Sequence, residues 1–115
     1  MFTRHFPHWP PGVPKTLELP RHSVYDNLAA QAAEHPERTA VDYYGSRVTY
    51  GELKRDADAL AGFLQQRCGV AKGERVLLYL QNCPQFIIAY YAVLRADAVV
   101  VPVNPMNRTE ELRHY

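Results

Sequence analysis

Cysteine and serine are both scarce in this chain of 115 residues, and each scarcity closes a route. The two cysteines, Cys68 and Cys83, are separated by fourteen residues, which matches neither a redox pair nor a zinc half-site. No disulfide framework is expected, and a reduced, cytoplasmic setting is the default reading. Ser23 and Ser46 are the only serines, and neither stands in a G-x-S-x-G elbow, so a hydrolase nucleophile has no support. An excess of one charge is also missing. Thirteen basic and twelve acidic residues are spread along the chain, for a formal charge of +1, and no dense basic run is present to neutralise phosphates. Nucleic-acid binding is therefore not expected. The N-terminus lacks the apolar region and small-residue cleavage site of a secretory signal. The longest apolar stretch, Phe86 to Val103, is interrupted by Arg95, Asp97 and Pro102, so it divides into a helix and a strand and gives no transmembrane segment.

The usual chemical signatures are absent as well. Gly69 and Gly73 are spaced G-x-x-x-G and followed by Glu74, which satisfies neither a Walker A loop nor a dinucleotide fingerprint, and Lys72-Gly73 reads as a solvated turn. His5, His8, His22, His35 and His114 are scattered, and none pairs with another ligand type at a metal-binding spacing. Asp26, Glu34, Asp42 and Glu52 belong to helix starts or polar faces, where dipole and solvation account for them. Neither a catalytic residue nor a metal ligand is assigned.

What the chain does have is 47% apolar residues, enough for a core, arranged in clear periods. Residues 1–22 carry five prolines among Phe2, Phe6 and Trp9, which predicts an extended, polyproline-like arm, either docked or mobile. From Ser23 to His35 the residues Val24, Leu28 and Ala32 recur four apart, and Ser23 with Asp26 forms a capping box, so a helix is expected until Pro36 ends it. Thr39–Tyr44 and Arg47–Tyr50 read as a β-hairpin joined at Gly45-Ser46. Thr49 and Glu52 then open a helix whose apolar face is Leu53, Ala57, Leu60, Ala61 and Leu64, with Lys54, Arg55, Asp56 and Asp58 largely on the other side.

After the turn at Gly69 to Gly73, Arg75–Leu80 is nearly continuously apolar, as strands buried on both faces are. Asn82 is expected to cap the next helix, with Pro84 in its first turn and Gln85 at N3, and this helix is apolar almost all round up to Ala96. Ala98–Val103 forms another β-branched strand, and Asn107 or Thr109 caps a last helix. Strand, helix, strand, helix implies parallel pairing through right-handed crossovers. The expected class is therefore α/β, parallel strands with covering helices plus an N-terminal β-hairpin. Crevices in such sheets lie beyond the strand carboxyl ends, which singles out the step from Leu80 to Asn82 and the loop after Val103, where Arg108 can meet an anionic group or stand solvated.

Three ordered runs then carry a family resemblance: Val48-Thr49-Tyr50-Gly51-Glu52-Leu53, Asn82-Cys83-Pro84-Gln85-Phe86, and Leu94-Arg95-Ala96-Asp97-Ala98 through Val101-Pro102-Val103-Asn104-Pro105. Together they resemble the adenylate-forming superfamily over roughly residues 23–115, and within it bacterial medium- or long-chain fatty-acyl-CoA ligases most of all. The arm around Trp9-Pro10-Pro11-Gly12-Val13-Pro14 is similar to theirs too.

The resemblance implies a partial lobe of a larger acyl-CoA synthetase N-terminal domain, ending before the phosphate loop, the nucleotide-binding acidic motifs and the C-terminal lysine. The parent enzyme would use ATP, Mg²⁺ and CoA to join a fatty acid to CoA, in the cytoplasm or at the membrane periphery. This segment alone would be inactive and partnered by the rest of the ligase. In some aryl-CoA ligases a basic residue in the loop after the second core block approaches the CoA nucleotide. Arg108 is the nearest candidate here, although the family's position falls closer to Met106. One departure is Asp97, where the family commonly has glycine; aspartate tolerates the left-handed conformation that such a helix end requires.

Two other readings stay open: a non-catalytic α/β protein-interaction module using the proline-aromatic arm, and an adenylation domain for aryl or amino acids. An exposed strand edge at Val99-Val100-Val101 also leads us to expect self-association of this segment.

Overall fold

Two capping boxes set the N-terminal half of the fold. In the computed structural model, which describes residues 2–115, the Ser23 hydroxyl accepts from the Asp26 N–H while the Asp26 carboxylate accepts from the Ser23 N–H, and helix α1 runs Val24–Glu34. Thr49 and Glu52 repeat the arrangement at the start of α2, Tyr50–Gln66. Each box satisfies backbone donors that a helix start otherwise leaves open. The buried side of α1 is Tyr25, Leu28 and Ala32, with Val24 outside at 51% exposure, so the expected stripe is rotated by one residue at its start.

Between these helices lies the hairpin of β1, Thr39–Tyr43, and β2, Ser46–Thr49, paired antiparallel with a register irregularity between Thr39 and Val41. Its two-residue turn is Tyr44-Gly45, one residue earlier than expected, and Tyr50 belongs to α2. Both turn residues have positive φ, 49° and 83°, as a turn matching the right-handed twist of two strands requires. Gly45 meets that demand freely, while Tyr44 bears the steric cost.

The parallel pair is β3, Arg75–Tyr79, and β4, Val99–Val103, in unbroken register from Arg75–Val99 to Tyr79–Val103. The crossover between them is α3, Pro84–Arg95. Its cap is Cys83, with extended backbone and no side-chain cap bond, which corrects the assignment of Asn82. Proline at N1 explains the shift, because its fixed φ and missing N–H suit the first helical position and leave the residue before it as the cap. The end of α3 is a Schellman motif: the Ala98 N–H reaches the Val93 carbonyl at 3.1 Å, the Asp97 N–H reaches that of Leu94 at 3.1 Å, and Asp97 sits at φ 58°. Asp97→Gly is expected to remove left-handed strain of about 1–2 kcal/mol while losing about 0.5–1 kcal/mol to the freer unfolded chain. A small rise in thermal midpoint is the expected result, and an unchanged or lower midpoint would contradict it.

The core gathers where α1, α2 and α3 meet: Tyr25, Leu28, Leu53, Ala57, Ala61, Ala89, Ala92 and Val93, joined by Leu78 of β3. Ala57 and Ala92 are fully covered, so α2 and α3 approach closely through small side chains. The sheet is covered on one side only among the described residues, leaving Leu77, Tyr79 and Val99 more than a third exposed. That corrects the expectation of strands buried on both faces. A final short helix, α4, spans Thr109–His114; its cap position is Arg108, rather than Asn107 or Thr109, with the Glu111 carboxylate accepting from the Arg108 N–H at 2.9 Å. The arm, too, departs from a fully extended reading, opening on a single 3-10 turn at Phe6–His8.

Candidate functional site

A recess of about 590 Å³ opens beyond the carboxyl ends of β3 and β4. Its walls come from the hairpin tip, the step from Leu80 to Asn82, Phe86 in the first turn of α3, and the loop from Asn104 to Met106. This is the position that an open parallel sheet reserves for ligands. Three hydrogen bonds shape the loop. The Tyr79 hydroxyl lies 2.7 Å from the Pro105 carbonyl and 2.8 Å from that of Asn107, sharing its hydrogen between them, and the Asn104 side-chain oxygen accepts from the Met106 N–H at 3.0 Å. Tyr43 and Tyr44 meet edge to face at 4.7 Å across the hairpin turn.

The lining is aromatic, apolar and amide, with no charged side chain. It can shelter a neutral group, but it offers neither a cation for a triphosphate nor a carboxylate for Mg²⁺. No group of three or more possible metal-ligating residues occurs among the described residues. ATP and Mg²⁺ thus do not fit the residues present. Arg108 lies outside the recess lining, exposed at the start of α4. Asn82, relieved of its expected capping role, lies in the recess wall.

A second polar centre, unanticipated from the sequence, lies where the three helices converge. Asp58 of α2 accepts from the Tyr25 hydroxyl of α1 and from Lys54 at 2.6 Å, and forms an ion pair with Arg95 of α3 at 3.4 Å. The Arg95 guanidinium also lies 5.4 Å from the centre of the Tyr25 ring, a cation–π distance. Asp58 was expected on the solvent side of α2, and its placement corrects that; Tyr25 is 33 positions away, beyond the reach of any local pattern.

Burial pushes the Asp58 carboxyl up, but the hydrogen bonds from Lys54 and Tyr25 and the charges of Lys54 and Arg95 outweigh it and hold it below the ordinary carboxylate value. Burial, then the bond to Asp58, raises Tyr25; the bond to Asp58, opposed by burial, raises Lys54. A lowered folded-state pKa gives stability that is complete above the unfolded value of 3.8 and is lost as pH falls through the folded one. The raised groups give stability that is complete below 10.0 and 10.5 and is lost as pH rises through their folded values. Urea midpoints measured across pH should therefore fall at both ends, and Asp58→Asn should shallow the acid limb. Asp26 and Glu52, lowered by their capping bonds, keep part of that limb in the variant. An acid limb identical to wild type would refute the role of Asp58.

Comparison with known proteins decides the family. The AMP-binding enzyme family matches residues 28–115, more than half of the chain. The chain belongs to this family. It is 41% identical over 106 residues to the long-chain-fatty-acid–CoA ligase of Bacillus subtilis, covering 92% of the chain and 19% of that protein. Triostin synthetase I of Streptomyces triostinicus is 40% identical over 89 residues, covering 77% of the chain and 17% of its own length. Among solved structures, the N-terminal subdomain of Klebsiella oxytoca NpsA in complex with 3-hydroxyanthranilyl-AMSN superposes with a TM-score of 0.75 at 30% identity, covering 79% of this chain and 23% of that one. The mixed α/β architecture, one antiparallel and one parallel strand pair, is thus that of the N-terminal part of an adenylate-forming AMP-binding enzyme. The chain spans about a fifth of the length of the curated relatives it matches.

Proposed function

We propose that this chain is the N-terminal structural lobe of an AMP-forming fatty-acid–CoA ligase, whose parent activates a fatty acid with ATP and Mg²⁺ and passes the acyl group to CoA. The observation that carries the acid class is the extent of the B. subtilis match. At 92% of the chain it exceeds what residues 23–115 supply, so it necessarily includes part of the arm. The match to Triostin synthetase I, nearly equal in identity, covers only 77%. The uncharged recess agrees with a lobe that leaves triphosphate and metal handling to other residues of the parent. On this reading Arg108 is the candidate contact for the anionic nucleotide of CoA, exposed and close to the carboxyl end of β4.

A second reading, an adenylation domain for aryl acids, is favoured by the superposition on NpsA. Pyrophosphate exchange by a polypeptide of the relatives' length carrying this chain separates the two. Exchange stimulated by fatty acids is expected, whereas stimulation by aryl or amino acids alone would overturn the first reading. The 115-residue chain by itself should give no exchange.

A further inference from the structure

Tyr79 closes β3 opposite Val103, the last residue of β4, so its side chain reaches the loop that leaves the sheet. That loop begins as a tight turn in which the Asn107 N–H donates to the Asn104 carbonyl at 3.0 Å, with Pro105 in the second position, where its fixed φ is suited. Tyr79 ties this turn back to the sheet through the Pro105 and Asn107 carbonyls, 26 and 28 positions along the chain. These bonds are made within the chain and do not depend on what lies beyond it. The bond to Asn107 acts on the next residue. A peptide unit is planar, so the Asn107 carbonyl and the Arg108 N–H turn as one body. The oxygen of that unit accepts from Tyr79 at 2.8 Å, and its N–H donates to the Glu111 carboxylate at 2.9 Å. On the other side of Arg108, its carbonyl accepts from the Leu112 N–H at 3.0 Å. Both peptide units that flank Arg108 are thus pinned, and the direction in which its side chain leaves the backbone is set.

A guanidinium grips a phosphate best through two parallel N–H···O bonds, and this fork loses its advantage when it swings out of line. We propose that Tyr79 is the positioning residue for Arg108, holding the backbone from which that guanidinium meets the phosphates of the acyl acceptor. The proposal rests on the reading of Arg108 as the contact for the CoA nucleotide. Tyr79 itself touches no substrate on this view and acts only through the Asn107–Arg108 peptide. Without its hydroxyl that unit is held at the N–H end alone, by Glu111. The residue serves thioester formation and not adenylation, because the phosphates concerned arrive with CoA.

Tyr79→Phe keeps the ring and removes the hydroxyl. In a polypeptide of the relatives' length carrying this chain, it should raise the KM for CoA about three- to tenfold, the scale of a lost hydrogen bond. The kcat at saturating CoA should keep its wild-type value, as should fatty-acid-dependent pyrophosphate exchange run without CoA. Arg108→Gln should raise the same KM, and adding Tyr79→Phe to it should raise it no further, because a residue that acts through Arg108 then has nothing left to position. In the 115-residue chain, hydrogen exchange at the Arg108 amide should quicken in Tyr79→Phe while α2 and α3 amides keep their rates. Wild-type exchange reads the acid class separately. A wild-type KM for CoA in Arg108→Gln would remove the reading of Arg108 and the proposal with it. A raised KM in Arg108→Gln beside an unchanged one in Tyr79→Phe would overturn the proposal alone, as would an equal cost of Tyr79→Phe with and without Arg108.

Discussion

Replacing Leu28 with alanine is expected to lower stability by roughly 2–5 kcal/mol, the range for truncating a buried leucine whose surroundings cannot fully collapse. Leu28 is 2% exposed and is the largest wholly aliphatic side chain that α1 contributes to the core, beside Tyr25 and Ala32. Since α1 owes its place to only three buried residues, the loss should fall on that helix first. Hydrogen exchange would then show α1 amides opening well before those of α2 and α3, and the urea midpoint would drop. A loss below 1 kcal/mol would mean that the Tyr25–Asp58 bond, rather than the apolar face, seats the helix.

The second large effect comes from adding volume. Ala92→Leu is expected to cost roughly 1–3 kcal/mol or more, because Ala92 and Ala57 are both fully covered where α2 and α3 meet. Extra methylenes there force the helices apart, and the displacement reaches the core around Val93, the largest wholly buried side chain. Ala92→Gly makes a useful contrast: it removes a methyl and lowers helix propensity by about 1 kcal/mol, without separating the helices. A leucine variant more stable than the glycine variant would show that the seam has room to spare.

The parts of this fold that were legible in the sequence are those decided within a few residues. Both capping boxes, Ser23 with Asp26 and Thr49 with Glu52, are as expected, because their donors and acceptors are three positions apart. The left-handed Asp97 was anticipated through the family resemblance, which commonly has glycine at that helix end. The hairpin existed where β-branched runs flanked a glycine, but its turn moved by one residue to Tyr44-Gly45, since pairing of Tyr43 with Ser46 outweighed the unfavourable φ of a tyrosine. Burial of β3 was misjudged because a continuous apolar run records the need for cover on two faces, and these residues provide a layer on only one.

The sites divide along the same line. The position beyond the strand ends followed from topology, and Asn82 and the loop after Val103 do lie there. That Tyr43 and Tyr44 would join them could not be read, because the hairpin reaches the recess only through tertiary packing. The Asp58 cluster lay equally out of reach: Lys54 and Asp58 were placed together on the polar side of α2, but Tyr25 and Arg95 arrive from two other helices.

The two strand pairs also keep different clocks. β1 and β2 meet across Tyr43 and Ser46, three positions apart, so the hairpin can zip on the scale of about 1–10 μs. Every partner in β3 and β4 is 24 positions away, and its meeting must wait for α3 to form and swing the chain back. The surface of Leu77 and Val99, left open in the finished lobe, is therefore also the last to be ordered during refolding, and adhesion between chains should concentrate in that interval.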